Sequence, residues 1–183
     1  MSEMSPEELR AVLAAYYEVA SASWPDLHPA MAANRLRWSG KSDAQLEAEL
    51  ESYVQEAAPP RSNVRVFWKL GPQFRFAGCN ELFAQDAGIQ RSALIGLNDF
   101  DKRLPWFPNA AKFRSDDEEI FKSGRANLDI LEHQKASTGT TWVRAGKTPI
   151  RNAAGKPIGI FGMYEVLDGA TGRKLFSQRE GIR

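Results

Sequence analysis

The carboxylate of Asp117 stands where a helix should be apolar. Phe113, Asp117, Ile120 and Phe121 recur at i, i+4, i+7 and i+8, the spacing of one helical face. Burying the aromatic and aliphatic members of that face buries Asp117 with them. A lone buried carboxylate is costly to desolvate, so it needs a cation or hydrogen-bond donors. The strands that follow can supply them. Side chains alternate across a strand. If Phe161 faces the helices, so do Gly159 and Met163, and the hairpin register turns Val143, Ala145 and Lys147 the same way, with Glu132 and Gln134. Asp117, Glu132, Gln134 and Lys147 would then surround one interior. Two readings fit this set: a structural lysine–carboxylate network, and a site for a small polar ligand. Trp106 and Arg114 are secondary candidates. Arg114 can clamp a ligand carboxylate through paired hydrogen bonds, although a solvated helix arginine is the commoner arrangement. Asp117 is also the one candidate base for a small pocket enzyme such as an isomerase. It lacks a convincing partner acid or oxyanion donor, so the chain itself is not expected to be an enzyme.

Composition narrows the function classes. Lys and Arg number 24 against 23 Asp and Glu, for a net charge of +1. Domains that live on nucleic acid carry a basic excess or stripe; neither is visible, and no nucleic-acid partner is expected. Cys79 is the single cysteine, which rules out a disulfide within the chain and suits a reducing compartment. With only His28 and His133, no Cys/His cluster has metal-ligand spacing. No apolar run reaches the roughly 18 residues that span a bilayer, so no membrane insertion is expected. The acidic start, Met1–Glu8, is unlike a signal peptide. The expected location is the cytoplasm.

These residues need elements to position them. Ser5-Pro6-Glu7-Glu8 reads as a capping box with proline at the first helical position. Leu9, Val12, Leu13, Tyr16 and Val19 then share a helical face. A second helix is expected over Ala30–Trp38. A third, begun by the Ser42/Gln45 capping pattern, carries the stripe Leu46, Leu50, Tyr53 and Val54. Together they make a helical segment 1–58, closed by Pro59-Pro60 and a linker 59–63. From Val64 the texture becomes β-branched and aromatic, with strands expected over Val64–Leu70 and Gln73–Ala77. Short helices over Asn80–Ala87 and Ser92–Ile95 follow, then an irregular stretch 97–108. A longer helix capped by Asn109 ends at Gly124, and three strands run over 127–136, 140–150 and 157–167. This order predicts an α+β domain, a five-stranded antiparallel sheet with its helices on one face. The other face would carry Ile158, Ile160, Tyr164, Val166 and Trp142. That is too apolar for water, so the N-terminal helices or a second subunit should cover it.

Over about 64–168 the sequence resembles the PAS family, a sensory fold of bacterial signal-transduction proteins. Leu94-Ile95-Gly96-Leu97-Asn98-Asp99-Phe100-Asp101 is similar to the family's LIGKTDxD segment, and Leu104-Pro105-Trp106 to its LPW. Phe113-Arg114-Ser115-Asp116-Asp117 with Ser123-Gly124 is similar to its YRxDDxxVxxSG helix. Thr141–Arg144 with Lys147–Arg151 resembles RWVRxxKxPLRD, and Ile158–Gly162 resembles VIGVxG.

The resemblance implies a pocket between the sheet and the longer helix, able to hold haem, flavin, a small metabolite or nothing. Haem needs an axial histidine on or near that helix, and residues 99–124 contain none; His133 lies in a strand. The flavin–cysteine adduct needs a cysteine over the flavin, whereas Cys79 precedes Asn80 at a strand end. Haem and the covalent adduct are therefore not expected, and a small polar metabolite is the preferred occupant. It would meet Trp106, Phe113, Arg114, Asp117, Glu132, Gln134, Lys147 and Phe161. The family's usual Asp-Ile-Thr ending is replaced by Val166-Leu167-Asp168, and the tail 169–183 has no sustained heptad. Partners implied are a second copy of the chain in a homodimer and an output signalling domain or partner protein. The alternative reading is a regulatory fragment of a histidine kinase or diguanylate cyclase.

Overall fold

The computed structural model describes residues 4–24, 40–42, 44–45 and 63–180. The capping box at Ser5 closes as the sequence requires: Glu8 N donates to Ser5 Oγ at 3.2 Å, and Ser5 N donates to Glu8 Oε2 at 2.9 Å. Helix α1 runs Pro6–Ser23 from there. The Ser42/Gln45 pair forms its reciprocal bonds as well, at 2.9 and 3.3 Å. The helices expected over Ala30–Trp38 and around Leu46, Leu50, Tyr53 and Val54 lie outside the described residues, as does all of the linker except Asn63.

Strands β1 (Val64–Leu70) and β2 (Arg75–Cys79) form the first hairpin. β2 starts later than its expected Gln73 because Gly71 and Phe74 close a turn, with Phe74 N donating to Gly71 O and Phe74 at φ 49°. Asn80 accepts from Phe83 N and caps α2 (Glu81–Ala87), which Gly88 ends at φ 70°. A single turn, α3 (Arg91–Leu94), leads into the irregular stretch. Helix α4 covers Ala110–Ser123 and stops at Gly124, φ 67°. Asn109 stands at its N-cap without a side-chain bond; the chain enters through a 3-10 turn, Phe107–Asn109. Strands β3 (Asn127–Ala136), β4 (Gly139–Arg151) and β5 (Pro157–Leu167) complete an antiparallel sheet of order β2-β1-β5-β4-β3.

Residues 169–180, given no element by the sequence patterns, form helix α5 (Gly169–Glu180). Asp168 starts it by accepting from Thr171 N and Oγ1 at 2.8 and 2.6 Å. Gly172 lets this helix lie on Trp142, since a Cβ there would sit 2.1 Å from the indole Cγ.

The sheet divides the core in two. On one face Val64, Val66, Trp68, Ile150, Phe161 and Met163 pack under Leu9, Val12, Tyr16 and Val19 of α1. On the other, Phe67, Phe76, Val143, Ala145 and Tyr164 pack under Phe83, Leu94, Leu104, Trp106 and Phe113. The expectation that Phe161 faces the helices with Lys147 is therefore corrected. Phe161 lies against Tyr16 and Trp68 under α1, with centroids at 5.8 and 6.5 Å. Ile160 and Tyr164, expected on the α1 side, face α4 and the short helices. The cause is a bulge. Ile150 pairs with Gly159 but Arg151 with Pro157, so Ile158 is an extra residue, and a one-residue slip sends every later side chain to the opposite face. The apolar face does exist, and α1 covers it.

Candidate ligand-binding site

β1 alternates Val66 and Trp68 toward α1 with Phe67 and Lys69 toward α4. β4 turns Ala145 and Lys147 to the same side, and α4 lowers Asp117 between the two lysines. Lys69 Nζ donates to Asp117 Oδ2 at 2.6 Å and to Asp99 Oδ2 at 2.5 Å. Lys147 Nζ donates to Asp117 Oδ1 at 2.9 Å. Trp106 Nε1 donates to Asp99 Oδ1 at 3.0 Å. Asp117 is fully buried, and the other three charged members expose 5% or less of their surface. Both oxygens of each aspartate are occupied. Lys147, with three N–H protons, uses one; its ammonium otherwise faces the rings of Phe67 and Phe113, at 6.0 and 5.7 Å from their centroids.

This network borders a partly open void of about 30 Å³, walled by Phe67, Phe76, Phe83, Trp106, Phe113 and Tyr164 and edged by Glu132, Gln134 and Lys147. A water needs roughly 10–15 Å³ of such space, so two waters or a few-atom fragment fit without movement. Glu132 is the rim. Its Oε2 accepts from Lys112 Nζ at 2.5 Å, and Lys112 is half-exposed. Gln134 Nε2 donates to the Tyr164 hydroxyl at 3.0 Å. That hydroxyl donates to Asp86 Oδ2 at 2.6 Å, and Asp86 is held by Arg65 at 2.9 and 3.2 Å.

Burial alone would raise the Asp117 pKa, but the two ammonium groups outweigh it and hold the carboxyl below its ordinary range. Burial alone would lower the Lys147 pKa; Asp117 and Glu132 reverse that, and the amine stays protonated above its ordinary value. Burial and then Asp86 push the Tyr164 phenol up. Asp117 and Lys147 are thus held in their charged forms at neutral pH.

Six of the eight residues read from the sequence meet here. Trp106, Phe113, Glu132, Gln134 and Lys147 line the void, and Asp117 anchors its lysine. Phe161 does not, for the register reason above. Arg114 does not either: one residue from Phe113 is a quarter-turn or more around the helix, and its guanidinium donates to Gln73 O at 2.8 Å and lies over Phe74 and Phe100. Lys69, Asp99 and Tyr164 were missed. Lys69 carried a signal, a lysine within the otherwise apolar run Val66–Leu70. Asp99 carried none beyond its place in a family-like segment. His133 lies on the opposite face against Trp142, centroids 3.7 Å apart, and from there cannot ligate a group in the void. Cys79 is buried within the Phe67–Phe83 cluster, and burial pushes its thiol up to about 12, away from thiolate chemistry.

A sequence profile described as PAS fold matches residues 60–168. No curated protein matches the chain. Among solved structures, it is similar to the Vibrio cholerae VqmA–ligand–DNA complex, at 23% identity over 55% of this chain and 46% of that one, TM-score 0.50. It is similar to VqmA bound to DPO, at 21% identity over 66% and 57%, TM-score 0.53. It is also similar to an RNA-binding light-oxygen-voltage receptor, at 19% identity over 74% and 38%, TM-score 0.55. At these identities the likeness is one of fold. The chain spans about half the length of the VqmA chains it matches. The expectation of no nucleic-acid partner is corrected on this finding, because chains that share the fold belong to a DNA-bound receptor and an RNA-binding receptor. The near-neutral charge of 183 residues describes this chain and does not exclude a nucleic-acid partner. Among the described residues, no helix is long and apolar enough to cross a membrane.

Proposed function

Because the chain belongs to the PAS fold family, we propose that it is a sensory module, not itself an enzyme, which takes a small polar ligand between its sheet and α4. The observation that carries this reading is Lys147. Its ammonium is buried at the edge of an aromatic-walled void, with Asp117 as its one hydrogen-bonded partner among the described residues. A fully satisfied structural network would spend those protons internally; a ligand acceptor would use them. Fold relatives described as ligand-bound, VqmA with DPO among them, support the reading. The aromatic walls supply apolar contact and Gln134 a polar amide, the usual mixture in small-molecule sites. The void as it stands is smaller than a flavin or haem ring system, which favours a small metabolite. The helices that flank the sheet, α1 and α5, are the parts from which an output domain or a second copy would read occupancy, in a cytoplasmic, homodimeric bacterial sensor.

Lys147→Met tests this. It keeps the side-chain length and apolar stem and removes the donor, while Asp117 keeps Lys69. In a thermal-shift screen of small polar metabolites, compounds that raise the Tm of the wild-type protein should leave Lys147→Met unmoved. Equal stabilisation of both proteins would place binding elsewhere and sink the assignment.

A further inference from the structure

The charges around the void cancel before any ligand arrives. Lys69 and Lys147 supply two positive charges, and Asp99 and Asp117 supply two negative ones in direct contact with them, at 2.5–2.9 Å. The remaining charge on the lining, Glu132, is negative and is matched from outside by Lys112 at 2.5 Å. No positive charge is left over. An anionic ligand would have to give up its hydration without gaining a counter-charge, beside three carboxylates, and burying an uncompensated charge is strongly unfavourable. A cationic ligand would meet the two ammonium groups. The polar capacity that does remain is of the dipolar kind: N–H protons on Lys147, and the side-chain amide of Gln134, which lends one of its two N–H groups to Tyr164. These two residues line the same void, between flat aromatic walls.

We infer that the site selects an uncharged ligand bearing both an acceptor and a donor, of the amide or lactam kind, and rejects the carboxylate of the same shape. The acceptor takes Lys147 protons, and the N–H meets the Gln134 side-chain amide on the same lining. This rests on the reading of the void as a ligand site. The selection lies in the two aspartates, because each one cancels the lysine charge that an anion would otherwise use. Asp99 is the adjustable member. Replacing it with Asn keeps an acceptor for Trp106 and leaves Lys69 paired with Asp117, while releasing one unit of positive charge toward the void.

The experiment compares two matched pairs of probes, acetamide with acetate and nicotinamide with nicotinate, by NMR titration of the full chain at millimolar concentrations, following the Trp106 indole N–H. The uncharged member of a pair should bind the wild-type protein at least tenfold more tightly than its carboxylate. In Asp99→Asn the ratio should fall by at least tenfold, toward the carboxylate. Should that variant fail to fold by circular dichroism, Glu132→Gln at the partly exposed rim should shift the ratio in the same direction. A carboxylate that binds the wild-type protein as tightly as its amide overturns the proposal and leaves the ligand-site reading standing. If neither member of either pair moves the Trp106 signal, the ligand-site reading fails and the proposal with it.

Discussion

Asp117→Ala should cost about 3–5 kcal/mol of folding stability, the range for removing one partner of a buried ion pair. The carboxylate is shared by Lys69 and Lys147 at 2.6 and 2.9 Å and is wholly out of water. Without it, Lys69 keeps Asp99, but Lys147 keeps no counter-ion in contact, in a site lined by rings. Lys147→Met should cost less, about 1–3 kcal/mol, because Asp117 retains Lys69. Equilibrium urea unfolding at pH 7 measures both. The pH dependence follows from the sign of the shift. The folded pKa of Asp117 lies below its ordinary value of 3.8, so its contribution is present above that value and is lost as pH falls through the folded pKa. The gap between wild type and Asp117→Ala should therefore narrow in acid. A gap that widens as pH falls would mean that Asp117 is not the paired, ionised group described here.

That carboxylate was legible in the sequence because a helix has a period. Phe113, Ile120 and Phe121 mark a buried face, and Asp117 breaks it. Gly88 and Gly124 announce helix ends because the left-handed backbone they adopt suits glycine. Lys147, Glu132 and Gln134 were legible through strand alternation within β3 and β4. Phe161 was not, since its face depends on a bulge at Ile158, which only the paired hairpin reveals. Asp99 was not, because it sits in an irregular stretch where no period says which way a side chain points. Its partner Lys69 comes from the first strand, 30 residues earlier, a pairing that only tertiary structure creates. Helix α5 was hidden by Gly169 and Gly172, although Asp168 with Thr171 held a capping signal.

Val19→Asp should be about as damaging, at roughly 3–5 kcal/mol, because it buries a charge with no partner. Val19 is fully buried on the sheet-facing side of α1, and its side chain closes on Gly146 of β4, where a Cβ would lie 3.0 Å from Val19 Cγ1. Glu18, one residue away and exposed, gives the control: Glu18→Ala should change stability by no more than about 0.5 kcal/mol. The contrast measures whether α1 is part of the folded core. It carries Leu9, Val12, Tyr16 and Val19 onto Trp68, Phe161 and Met163, which would otherwise face water. Similar small costs for both substitutions in urea unfolding would mean that this helix is dispensable to the sheet.

The central claim is that the void beside Lys147 holds a small ligand, and native mass spectrometry of the purified chain against its denatured mass tests it most directly. The expected result is extra mass of metabolite size on the native protein, lost on denaturation and missing from Lys147→Met. A native mass equal to the bare polypeptide, or to a whole multiple of it, would contradict the claim.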